Sequence, residues 1–77
     1  MKKITIYSTV TCPWCTKVKD YLDEKNISYE DYDVATDREK AIEMVNKSNQ
    51  QGVPVIDIDG EIIVGFDQKR IDRALDL

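Results

Sequence analysis

The chain has 77 residues with eleven Lys and Arg, fifteen Asp and Glu and no His, for a formal net charge of −4; a length of that order supports one domain and leaves no room for a second. An acidic balance with lysines interspersed among acids excludes a phosphate-reading basic face, and the lack of histidine removes every mechanism that needs an imidazole base or ligand. At 42% hydrophobic and 34% charged, the composition is that of a compact folded protein, expected to be a monomer, with no run approaching the roughly 20 apolar residues of a membrane span.

Residues 2–8, KKITIYS, alternate Ile4 and Ile6 around β-branched Thr5 and predict a first strand. The same stretch, two lysines before a short and interrupted apolar run, does not make a secretory signal, so the reducing cytoplasm is the expected address. A loop from Thr9 to Thr11 leads to Cys12. From Pro13 to Lys25 the residues Cys15, Val18, Tyr21 and Leu22 recur at helical spacing, Pro13 suits a first turn and Asn26 an exit. Residues 27–34, ISYEDYDV, predict a second strand whose acids, Glu30 to Asp33, form a solvated edge. Thr36 or Asp37 can cap a second helix with Ala41, Met44 and Val45 as its apolar stripe and Gly52 beyond its end. In VPVIDIDGEIIVG, Val55, Ile56 and Ile58 lead into Asp59-Gly60 and Ile62, Ile63 and Val64 lead out, which predicts a tight hairpin. A final helix from 67 to 74 carries Ile71, Ala74 and Leu75 on one face. The order β-α-β-α-β-β-α predicts an α/β fold. A right-handed crossover pairs the first two strands in parallel, and the hairpin adds antiparallel strands to give a mixed four-stranded sheet flanked by helices.

Three readings compete for the Cys12 and Cys15 pair. A structural disulfide closing so short a loop removes little entropy from the unfolded chain. A zinc site needs four ligands where the chain supplies two thiols, so only a dimer pooling four thiols, or an iron-sulfur cluster shared between chains, completes the coordination. The reactive reading has the most physics behind it. At the mouth of a helix the Cys12 sulfur faces unpaired amides and the positive end of the helix dipole, a setting that favours thiolate, and Cys15 lies one turn later on the same side as a resolving thiol.

CPWC at a helix start after a first strand, GVPV before a hairpin and VGFD before the last helix resemble, in that order and over essentially the whole chain, the glutaredoxin family of the thioredoxin-like fold. The resemblance implies a dithiol oxidoreductase that reduces protein disulfides or glutathione mixed disulfides, with Cys12 as nucleophile and Cys15 as resolver, no metal and no tightly bound cofactor. It also implies that Val53 and Pro54 face the Cys pair, with a cis Val53-Pro54 bond exposing the Val53 backbone to an extended substrate; the residues alone equally allow a trans proline at a strand start. Pro13, Trp14, Val53, Pro54, Gly65, Phe66 and Asp67 are then the residues expected to meet substrate.

The sequence departs from that pattern where glutathione would bind. Thr9 stands where many glutathione-using members carry Lys, and one glycine with one acid, in VGFDQK, stands where they carry Gly-Gly followed by acids. The GF before the last helix is instead similar to redoxins that serve ribonucleotide reductase. The electron donor is therefore either glutathione, as a co-substrate, or a flavoprotein of the thioredoxin-reductase type. Lys17 and Lys19 are candidates to replace the missing charge, though both read as well as solvated helix residues. Trp14 is expected to be exposed, Tyr7 to pack at a strand end, and Phe66 either to cover the Cys pair or to join the core.

Overall fold

The computed structural model describes residues 3–76; Lys2, at the head of the expected first strand, lies outside them. Among the described residues the elements are β1 (Ile4–Ser8), α1 (Pro13–Glu24), β2 (Glu30–Asp33), α2 (Arg38–Ser48), β3 (Val55–Ile58), β4 (Glu61–Val64) and α3 (Gln68–Leu75). The sheet order is β2-β1-β3-β4. β1 runs parallel to β2, while β3 pairs antiparallel with both β1 and β4, which is the expected mixed sheet.

Strand alternation divides the core in two. Ile4, Ile6, Ile56, Ile58 and Ile63 point to one face and pack against Val18 and Leu22 of α1 and Ile71 and Ala74 of α3. Tyr7 and Val55 point to the other, against Met44 of α2. Helices α1 and α3 thus cover one face and α2 the other.

Local chemistry sets the boundaries. Cys12 occupies the extended N-cap position of α1 with Pro13 directly after it, and the helix stops where Asn26 takes a positive φ of 58°. Asp37, not Thr36, caps α2 by accepting the Lys40 N–H at 3.2 Å. That helix ends at Asn49, whose φ is 60° and whose N–H bonds Val45 O, so Gly52 lies farther along the loop and is not the stop. Asp59 and Gly60 have φ of 53° and 99°, the two positive values that a tight turn of matching twist requires.

The second strand is shorter than 27–34. After Asn26 the Ile27 N–H turns back to Leu22 O at 3.0 Å, which closes the helix end and delays the chain's entry into the sheet. Pairing with β1 begins only where Glu30 comes opposite Thr5. Ile27 and Tyr29 pack against the core from this loop.

Tyr7 does more than pack. Its hydroxyl donates to Glu43 and accepts from Lys47 Nζ at 2.9 Å, while Lys47 also reaches Asp57 Oδ2 at 2.7 Å. Burial, reinforced by the Glu43 carboxylate, raises the pKa of the Tyr7 phenol above its ordinary value. It is a neutral donor that ties α2 to β1 and β3.

Candidate active site

Tyr7 and Val55 are cross-strand partners. The chain leaving β1 toward Cys12 and the chain entering β3 from Val53 and Pro54 are therefore neighbours at one end of the sheet. The Val53-Pro54 bond is cis, and the Val53 carbonyl oxygen lies 3.9 Å from Cys12 Sγ.

The two sulfurs have opposite environments. Cys12 Sγ accepts the Cys15 N–H at 3.1 Å, so it takes the place of a side-chain cap over amides that a helix leaves unpaired, at the positive end of the dipole. Pro13 contributes no N–H to that set. Cys12 is partly exposed, whereas Cys15 is fully buried at the head of the apolar stripe it shares with Val18 and Leu22. Burial, and after it the hydrogen bond to the Cys12 sulfur, pushes the Cys15 thiol up to about 11. One sulfur meets solvent beside amide donors; the other stays protonated in the core.

A groove of about 220 Å³, lined by Trp14, Val53, Pro54, Gly65 and Phe66, opens where Val53 meets Cys12. Gly65 holds a φ of 80° and donates its N–H to Pro54 O at 2.8 Å, so the backbone bends there in a way that L side chains resist. Trp14 is 55% exposed, with its ring centroid 6.5 Å from that of Phe66. Phe66 also packs against Tyr21 at 5.7 Å and against the core, so it covers the groove and fills the interior at once.

Two expected residues stand apart from the groove lining. Pro13 is exposed at the helix start. Asp67 caps α3, its carboxylate accepting the Arg70 N–H at 3.2 Å. Of the two lysines, Lys19 is paired with Asp31 at 2.7 Å, on an oxygen pair that also takes the Ser8 hydroxyl at 2.7 Å. Lys17 instead holds its ammonium 4.7 Å from the Trp14 ring centre. Lys17, a candidate cation, lies in the surroundings of the groove over Trp14, and Tyr21, for which the sequence suggests only a helix-face role, lies there too through Phe66. The signal was there, because Trp14, Lys17 and Tyr21 follow at spacings of three and four along one side of a helix.

The glutaredoxin family model matches residues 4–63. The chain belongs to the glutaredoxin family. It is 55% identical over 73 residues, covering 95% of this chain and 97% of the relative, to an uncharacterized glutaredoxin-like 8.6 kDa protein in the rubredoxin operon of Clostridium pasteurianum. It is 34% identical to glutaredoxin 3 of Escherichia coli K12, over 87% of this chain and 81% of that one. The crystal structure of a mutant thioredoxin-like protein superposes with a TM-score of 0.91 at 33% identity, covering 99% of this chain and 97% of the other. As a glutaredoxin, the chain belongs with thiol-disulfide oxidoreductases, and Cys12 and Cys15 supply the family's Cys-x-x-Cys spacing.

Among the described residues no group of three or more His, Cys, Asp or Glu is placed to hold an ion. The full burial of Cys15 leaves one sulfur of the pair accessible to a cluster shared between chains. Among the described residues no helix is long and apolar enough to cross a membrane.

Proposed function

We propose that the chain is a dithiol electron carrier of the cytoplasm that reduces disulfides in partner proteins. The Cys12 thiolate attacks one sulfur of the partner disulfide; the S–S bond breaks and the departing sulfur takes up a proton. Cys15 then gives up its proton and attacks the Cys12 side of the mixed disulfide, releasing the second partner thiol and leaving Cys12 and Cys15 oxidised. Two electrons pass to the partner. The observation that carries this reading is the asymmetry of the pair, an exposed sulfur over helix amides and a buried protonated one a turn behind it. In the mixed disulfide the hydrogen bond from the Cys12 side no longer raises the Cys15 thiol, although burial, the larger cause, persists. Val53 presents its backbone beside the sulfur, where an extended partner segment can pair with it.

The donor that fits best is a flavoprotein of the thioredoxin-reductase type. Glutathione carries two carboxylates and a net negative charge, and here Thr9 is neutral and Lys17 faces Trp14. Few cations are left to meet those carboxylates. Supplied as the oxidised protein with NADPH, the chain should regain free thiols faster with thioredoxin reductase than with glutathione and its reductase. Faster recovery with glutathione would overturn the donor assignment. Recovery with neither, together with no reversible two-electron couple in a redox titration, would sink the carrier itself.

A further inference from the structure

In the exchange proposed above, Cys15 has to lose its proton while fully buried, and burial works against the thiolate it must become. Something on that side of the helix has to offset the burial. Strand alternation locates the candidates. Ile4 and Ile6 face the side of the sheet that α1 and α3 cover, and Ser8, next in step along β1, faces it too. Asp31 stands opposite Ile6 in the parallel register of β1 and β2, so its side chain emerges on the same side. Ser8 is buried, and its hydroxyl donates to Asp31 Oδ1 at 2.7 Å.

Lys19 completes the chain of contacts. Its ammonium lies 2.7 Å from Asp31 Oδ2 with its side chain only 25% exposed, and it follows Cys15 by four residues, which puts the two on one side of α1 about a turn apart. Asp31 thus draws this lysine toward the seam between α1 and the sheet, whereas Lys17 lies over Trp14 on the outer side. The groups that act on the Cys15 sulfur are the Cys12 sulfur at the start of α1, the Thr9 amide in the loop after β1 and the Lys19 ammonium; the last two favour the ionised form. Asp31, on β2, holds the cation and also tempers its field. As a device for stability the pair is weak, because partly exposed ion pairs add little.

We propose that Lys19, fixed by Asp31 and through it by Ser8, is a positioning residue for the resolving step, whose ammonium stabilises the Cys15 thiolate as it forms; this deepens, and rests on, the exchange reaction proposed above. In that step Cys15 gives its proton to water and its sulfur bonds to Cys12 Sγ. The S–S bond between Cys12 and the partner breaks, and the departing partner sulfur takes up a proton. Lys19 keeps its own proton throughout. The first attack does not draw on the lysine, since Cys12 Sγ has the helix amides, with the Cys15 N–H at 3.1 Å.

Stopped-flow mixing of the reduced full-length protein with dipyridyl disulfide, an uncharged substrate whose released thiopyridone is read by absorbance, separates the two steps. The first phase is the attack by Cys12 and scales with substrate concentration; the second is release by Cys15 and does not. Removal of a partly screened charge one helical turn away should raise the pH midpoint of the second phase by about one unit in Lys19→Gln. The thiolate fraction then falls by about tenfold, offset in part by the greater nucleophilicity of a more basic thiol, so release below the midpoint should slow by about three- to fourfold. The first phase should keep its wild-type rate, which also shows that the variant is folded. Lys19→Arg, which retains the charge, should restore release to within about twofold of wild type. An unchanged second phase in Lys19→Gln, equal slowing of both phases, or a Lys19→Arg variant no faster than Lys19→Gln would overturn the role of Lys19. A wild-type trace without a second phase would instead remove the exchange reaction itself.

Discussion

Cys15→Ser should stall as a covalent adduct with its substrate, while Cys12→Ser should reduce no disulfide above the uncatalysed background. The difference follows from where the two sulfurs lie. Cys12 is the sulfur that solvent and substrate reach, above the Cys15 amide at 3.1 Å; without it, the remaining thiol is fully buried and held protonated. Cys15 acts second, on a disulfide that already sits against the helix start. Its removal leaves the first attack intact and blocks release. Intact-mass measurement after incubation with a disulfide-bearing peptide should show a one-to-one adduct in Cys15→Ser and none in Cys12→Ser. Adducts of equal yield in both variants would contradict the division of roles.

Ile56→Ala should be the most damaging of the simple core truncations. Ile56 lies on β3, between β1 and β4, paired with Ile6 on one side and Ile63 on the other, and it is fully buried among the isoleucines that meet α1 and α3. Truncating such a side chain costs about 2 to 5 kcal/mol, because the lost burial and the cavity add. A chain of 77 residues has only about 4 to 12 kcal/mol of total stability at ~0.05 to 0.15 kcal/mol per residue. A large fraction of the molecules should therefore be unfolded in urea concentrations that leave the wild type native. Ile42→Ala, at a position 53% exposed, should shift the urea midpoint by well under half as much. Similar shifts for the two variants would mean that β3 does not form the centre of the packing.

Local signals carry most of the fold. The hairpin was legible because Asp59-Gly60 has few alternatives to positive φ, and the helix starts because Pro13, Asp37 and Asp67 are short-range devices that act within one turn. The stretch from Ile27 to Tyr29 has the alternation of a strand, but that alternation serves a loop packing onto the core, and nothing local distinguishes the two uses. The polar role of Tyr7 is hidden in the sequence for a related reason. Its partners Glu43 and Lys47 lie 36 and 40 residues away, and which strand faces which helix is decided by the sheet order. Lys19 has the sequence setting of a solvated or substrate-facing lysine, yet Asp31 holds it because β2 lies parallel beside β1. The Cys-x-x-Cys spacing alone leaves three readings open, the cis bond at Pro54 is the one the family resemblance implies, and the inclusion of Tyr21 depends on how α3 closes against α1.

The asymmetry of the thiols can be measured in one reaction. Reduced protein treated at neutral pH with less than one equivalent of iodoacetamide, then cleaved and fragmented through peptide 4–17, shows which sulfur carries the adduct. Nearly all of it should be on Cys12. In Cys12→Ser, labelling of Cys15 should remain slow through neutral pH, because burial, the largest cause of that thiol's raised pKa, persists in the variant. An adduct shared evenly between the two cysteines, or found mainly on Cys15, would contradict the assignment of an exposed attacking sulfur and a buried resolving one.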